Sequence, residues 1–319
     1  GSPTSPKASY SIAGGLLAGL LLGLIMAVIR EKSDHRVSGA TDLERRLDLA
    51  VLAELPRTRR RRAEGLAGTA TPTGAAFRRL ANQVQAALGG THRALLVAPV
   101  VRGTGAAIVA PNLAAALARG GSNVILLCAD PTSASTTRVL DVAGAEGLAE
   151  ILYDHRTIED VVTHLTQLPR LLVVGPGLRP ELAEEGVQNE KVSSLLSALR
   201  ATADYVIVEA PPTSKSADAQ TLAALVDATV LAVEPKATSY AQVLDAVHQL
   251  DGVGSEILGS VVVPSIRWTA APKEALSRHA VGHNGTGGQR HETLSSAEAE
   301  RTVPANDPTA IATSPTPDS

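Results

Sequence analysis

The chain has 319 residues, 44% of them hydrophobic but only 2% aromatic, so any core is built mainly from Ala, Val and Leu. A formal net charge of -3 excludes a global attraction to nucleic acid. The single cysteine, Cys128, excludes an internal disulfide and suits a reducing cytoplasm, and the scattered His residues give no zinc-ligand spacing.

Residues 1–10 form a short Pro/Ser segment, read as extracytoplasmic. Ser11 to Ile29 is uncharged and mostly apolar, SIAGGLLAGLLLGLIMAVI. About 20 such residues cross a bilayer as a helix, so a transmembrane span is expected here. The segment lacks the basic start and cleavage site of a signal peptide. Only Lys7 precedes it, whereas Arg30, Lys32, Arg36, Arg45 and Arg46 follow, which orients the C-terminal side to the cytoplasm. Gly15, Gly19 and Gly23 recur every four residues and line one helix face, where a second helix can approach closely.

Residues 30–73 read as a basic juxtamembrane linker. Its run RTRRRR carries Arg57, Arg59, Arg60, Arg61 and Arg62, a topology signal and a candidate contact for anionic lipid headgroups. The next stretch, AAFRRLANQVQAAL, places Phe77, Leu80, Val84 and Leu88 at helical spacing.

An alternating pattern follows. Aliphatic runs at Ala94–Ala98, Val124–Ala129, Leu171–Val174, Tyr205–Glu209, Thr229–Val233 and Ile257–Val263 predict strands. Helices are expected over Ala106–Arg119, Gly147–Tyr153, Lys191–Ala201, Asp218–Leu225 and Tyr240–Leu250. Strands alternating with helices predict an α/β fold, a doubly wound and mostly parallel sheet over residues 74–264. From residue 265 to 319 the pattern collapses into Gly, Ser, Thr, Pro and Ala with isolated charges, a composition that predicts a disordered tail.

In such folds the turn after the first core strand receives phosphates, because glycine-turn N–H groups and a helix N-terminus attract anions. Here the turn reads Ala-Pro-Val-Val-Arg-Gly-Thr-Gly-Ala-Ala-Ile over residues 98–108. A working phosphate loop needs a Lys for the phosphates and a Ser or Thr hydroxyl for magnesium. The positions after Gly105 are Ala106 and Ala107, which supply neither. Taken alone, Gly-Thr-Gly is a weak signal, and a structural turn is the better reading of it.

The ordered series "DHRV", "DLERRLDLAVLAELP", "AAFRRLANQVQ", "GTGAAIVAPNLAAALARGGSNVILLCADP", "GLAEIL", "YVIVEAPP", "SADAQTLAALVDATVLAVEP" and "GSVVVP" resembles the bacterial tyrosine kinases and the polysaccharide chain-length determinants fused to them, from about Ser2 to Pro264. The resemblance implies a P-loop NTPase-like fold. It also implies a membrane co-polymerase with two spans, of which this sequence carries the second. Where the family has Gly-Glu-Gly-Lys-Ser/Thr, this sequence has Gly103-Thr104-Gly105-Ala106-Ala107. Where it has Asp-x-Asp, the chain has Cys128-Ala129-Asp130; where it has Asp before Thr-Pro-Pro, the chain has Glu209 before Ala210-Pro211-Pro212. The helical Glu-x2-Arg-x2-Arg assembly motif reads Ala75, Arg78, Ala81, so only the middle arginine remains. No tyrosine follows Tyr240, whereas the family ends in a phosphorylated tyrosine cluster.

These departures predict a degenerate kinase-like domain with no catalytic residues, no metal and no required cofactor, since phosphoryl transfer depends on clamping by Lys and Mg²⁺. Gly103, Thr104, Gly105, Ala106, Ala107, Asp130 and Glu209 are then the vestigial nucleotide positions. The expected role is a non-catalytic subunit of extracellular polysaccharide biosynthesis, working with membrane polymerase and flippase partners and with further copies or a co-polymerase chain. The alternatives are a weak ATPase or divergent kinase that binds ATP or ADP with magnesium through Arg102, Asp130 and Glu209, and a membrane-tethered positioning protein of ATPase-like fold.

Overall fold

The computed structural model describes residues 12, 15–23, 36–56, 65–103, 105–131, 134–140, 142, 144–178 and 189–264. In chain order the elements are α1 (Ala40–Leu47), β1 (Val51–Glu54), α2 (Pro72–Leu88), β2 (Arg93–Pro99), α3 (Gly105–Arg119), β3 (Val124–Cys128), α4 (Ala134–Leu140), α5 (Leu148–Tyr153) and α6 (Ile158–Val161). Then come β4 (Thr163–His164), β5 (Leu171–Val174), α7 (Asn189–Thr202), β6 (Tyr205–Glu209), α8 (Asp218–Ala223), β7 (Ala228–Val233), α9 (Tyr240–Asp251) and β8 (Ile257–Val262).

The strands form one eight-stranded sheet in the order β1-β8-β7-β2-β6-β3-β5-β4. Every neighbouring pair is parallel except β4 with β5. The central strands VILLC, YVIVE and ATVLAV are buried along their whole length. That is why they read as mainly aliphatic runs: helices cover both faces of a parallel sheet. Alternate side chains supply the two layers. Ala94, Leu96 and Ala98 of β2 join Val192, Leu199, Leu222, Val243 and Leu250 on one face. Leu95 and Val97 join Phe77, Leu80, Val84, Leu113 and Leu117 on the other.

Local chemistry fixes the helix starts. The Thr71 hydroxyl accepts from Gly74 N at 3.0 Å and opens α2, with Pro72 in its first turn. Ser239 and Gln242 form a reciprocal capping box at the start of α9. Asp227, just before β7, accepts from Ala94 N at 2.7 Å and pairs with Arg93 and Arg200, each at 3.2 Å. This ties the N-terminal ends of β2 and β7 together.

One expectation is corrected. Residues 30–73 do not form a linker throughout, because residues 36–56 are part of the domain. The amphipathic α1 buries Leu43, and β1 extends the sheet beside β8 with Val51 opposite Ser260. Val37 N donates to Thr238 O at 2.9 Å and Lys236 N returns a bond to Val37 O at 2.8 Å. Arg46 lies over the Tyr240 ring, 4.8 Å from its centroid. The Tyr240 hydroxyl holds the Asp42 carboxyl below the usual carboxylate range.

Gly15, Gly19 and Gly23 lie on a helical stretch with open space at each Cβ position. Among the described residues no helix is long and apolar enough to cross a membrane. Much of the expected span Ser11–Ile29, the arginine run Arg57–Arg62 and the tail 265–319 lie outside the described residues.

Candidate functional site

The candidate site lies at the carboxyl ends of the central strands, where open α/β sheets bind ligands. β2 ends at Pro99 and the chain turns through Val100 to Gly103 into α3. Neighbouring elements hold this turn. Val100 N donates to Ala232 O of β7 at 3.2 Å. Thr213 N and Ser214 N donate to Pro99 O and Val100 O at 3.0 and 3.3 Å, so the Pro211-Pro212 segment after β6 also braces it. Arg102 is exposed beside the turn, and Thr104 lies outside the described residues.

The first turn of α3 contributes methyl groups and no charge. Ala106 and Ala107 are both buried. Gly105 lets the helix start close to β7, since a Cβ there would sit 3.1 Å from Ala232 Cβ. Gly103 admits a different neighbour. A Cβ on Gly103 would lie 2.6 Å from the carboxyl carbon of Glu234 and 2.9 Å from its Oε2. Glu234 directly follows β7 and is only 7% exposed.

Glu209 ends β6 between β2 and β3, in register with Val97 and Cys128. It is 1% exposed, and its Oε1 accepts from the Thr136 hydroxyl of α4 at 2.6 Å. Asp130, two residues past β3, is also buried. Burial above all, and then the Glu209 carboxylate, push the Cys128 thiol well above its ordinary range. Cys128 therefore stays a protonated, apolar core group.

The structure thus gathers Gly103, Gly105, Ala106, Ala107, Asp130 and Glu209 at one end of the sheet, as the motif order predicts. Arg78 does not join them. It is exposed on α2 and lines a groove of about 540 Å³ with Arg79, Asn82 and Arg119. Two buried carboxylates were not singled out from the sequence. Glu150 accepts from Gly147 N at 2.7 Å and from Leu178 N at 2.9 Å, which pins the start of α5 to the loop after β5. The other is Glu234. The only sequence signal for it is a charge directly after the mostly aliphatic run ATVLAV.

Ala106 and Ala107 offer a magnesium nucleotide neither a cation nor a hydroxyl. A polyphosphate needs cations and N–H donors. Here the two key side chains are methyls, and a carboxylate stands against the first glycine. Among the described residues no three His, Cys, Asp or Glu side chains group so as to hold a metal ion.

The sheet order and the turn between β2 and α3 define the class as an ATPase-type α/β domain. A family model described as an AAA domain matches residues 97–257, and the chain belongs to that family. It is 28% identical over 251 residues to EpsB of Ralstonia solanacearum, covering 74% of this chain and 33% of EpsB. It is 27% identical over 175 residues to the tyrosine-protein kinase CpsD of Streptococcus agalactiae, covering 54% of this chain and 76% of CpsD. The chain therefore spans about a third of the Ralstonia relative and about three quarters of the streptococcal one. Among solved structures, the kinase domain of the Escherichia coli tyrosine kinase ETK superposes with a TM-score of 0.60 at 21% identity, covering 73% of this chain and 98% of that domain. The chimerical protein CapA2B2 superposes with a TM-score of 0.61 at 20% identity, covering 71% and 100%. The likeness to bacterial tyrosine kinases read from the motifs is borne out, and the solved structures share the fold.

Proposed function

We propose that the chain is a non-catalytic, membrane-anchored subunit of bacterial extracellular or capsular polysaccharide biosynthesis that acts on chain length or export. The observation that carries the non-catalytic part is the phosphate turn itself. Ala106 and Ala107 stand where a cation and a hydroxyl are needed, and the Glu234 carboxylate stands against Gly103. The pathway assignment draws on relatives such as the succinoglycan biosynthesis transport protein ExoP of Rhizobium meliloti, 27% identical over 176 residues. In this reading the span near residues 11–29 anchors the domain on the cytoplasmic side. The arginines at 57 and 59–62 meet anionic lipid. Arg78 and its groove face further copies or a co-polymerase chain, and the polymerase and flippase machinery is the working partner. No nucleotide or metal is required.

The weak-ATPase reading draws on the buried carboxylates Asp130 and Glu209. Against it, Glu209 already accepts a short bond from Thr136.

The test is complementation. Deleting the chain from its host shifts the amount or size distribution of exported polysaccharide. Re-expression of wild type and of Asp130→Asn restores it equally, as gel filtration of the secreted polymer reads out. Restoration by wild type but not by a folded Asp130→Asn chain transfers the argument to phosphoryl chemistry. An unchanged polymer after deletion removes the polysaccharide role.

A further inference from the structure

A buried carboxylate needs a reason to be where it is, since desolvation disfavours its charged form. Glu234 lies where the start of α3 offers a favourable electrostatic environment. α3 is a 15-residue helix starting at Gly105. Its first N–H groups have no partner within the helix, and its start carries roughly half a positive elementary charge. The Glu234 carboxyl carbon would stand 2.6 Å from a Cβ on Gly103, and its Oε1 would stand 3.6 Å from one on Gly105. Both glycines flank the same turn, and only the absence of side chains there admits the carboxylate.

The backbone that carries Glu234 is also held. Ala237 N and Thr238 N donate back to Glu234 O at 3.2 and 3.1 Å. Val37 exchanges bonds with Lys236 and Thr238, and Arg36 donates to Lys236 O. Lys236 takes a left-handed conformation, φ 66°, to make this tight loop. The side chain thus projects from a fixed point toward the glycines.

We infer that the turn around Gly103 and Gly105 is an anion site whose resident anion is the protein's own Glu234 carboxylate. Phosphate-class anions are excluded while that side chain stays in place. The loss of cationic side chains and the presence of this carboxylate then act together. The first lowers affinity for a polyphosphate, and the second fills the position it would occupy.

The inference rests on the site reading above but not on the polysaccharide role. An unchanged polymer after deletion of the chain leaves it standing. Its own test is thermal unfolding of the full chain with and without inorganic pyrophosphate, for wild type, Glu234→Gln and Glu234→Ala. Glu234→Gln keeps the side-chain volume and removes the charge; Glu234→Ala empties the position. Wild type is expected to show no shift. Glu234→Ala is expected to gain about 3 °C at pyrophosphate concentrations several times the dissociation constant, and Glu234→Gln a smaller rise, because its amide keeps the position filled while the repelling charge is gone. An equal response in all three chains, whether a rise or none, overturns the inference. Loss of the fold in both variants also overturns it, because the carboxylate is then a structural group.

Discussion

A chain that begins at residue 70 fails to give a stable domain, whereas one that begins at residue 36 unfolds cooperatively. The shorter chain loses α1 and β1 and, with them, the buried side chains Val37, Leu43, Leu49 and Leu55. At about 1.5–3 kcal/mol for each buried aliphatic residue, the loss amounts to roughly 6–12 kcal/mol. That rivals the whole stability of an ordinary domain, about 5–15 kcal/mol. The truncation also strips β8 of its partner, leaving a parallel edge strand of buried character open to other chains. Circular dichroism melting curves and size-exclusion profiles of the two chains make the comparison. A cooperative, monomeric chain starting at residue 70 would contradict a structural role for residues 36–56.

Phe77→Ala carries the next largest effect. Phe77 is the only phenylalanine in the chain and is 1% exposed, packed in the layer that joins α2 and α3 to the sheet. The same layer holds Ala76, Ala81 and Ala110 beside Leu80, Val84 and Leu113, and a close-packed layer relaxes only partly around a hole of that size. The expected cost is about 3–5 kcal/mol. In urea the unfolding midpoint falls by about 1 M or more while the slope stays constant. A shift below a third of that would mean that α2 is not part of the cooperative unit.

The strands that could be read from the sequence are those buried on both faces. β2, β3, β5, β6, β7 and β8 appear as aliphatic runs because helices cover each side of them. β1 was not legible. VLAE is four residues long, sits between charged stretches and owes its strand state to β8, some two hundred positions later. β4 is two residues long, and α4 and α6 are too short for a period to show. At the site, the glycine turn and the strand-end acids Asp130 and Glu209 could be located from motif order alone. What they touch could not. The Thr136 bond to Glu209 joins residues 73 apart. Glu234 acquires its meaning only because β7 lies beside β2, an order that no local pattern encodes.

The same distinction separates the three buried glutamates. Glu150 serves the fold, since both its oxygens accept backbone N–H bonds around α5. Glu209 closes the end of β6 against α4. Glu234 alone stands on the glycine turn. In the proposed reading the chain keeps the fold it shares with solved kinase domains, while Ala106 and Ala107 supply no lysine and no hydroxyl and the Glu234 carboxyl stands against Gly103.

The most direct test of that claim is calorimetric titration of the chain with Mg-ATP and Mg-ADP. No heat of binding up to millimolar nucleotide is the predicted result. Micromolar binding that depends on magnesium would contradict it and make the divergent ATPase the better reading of the site.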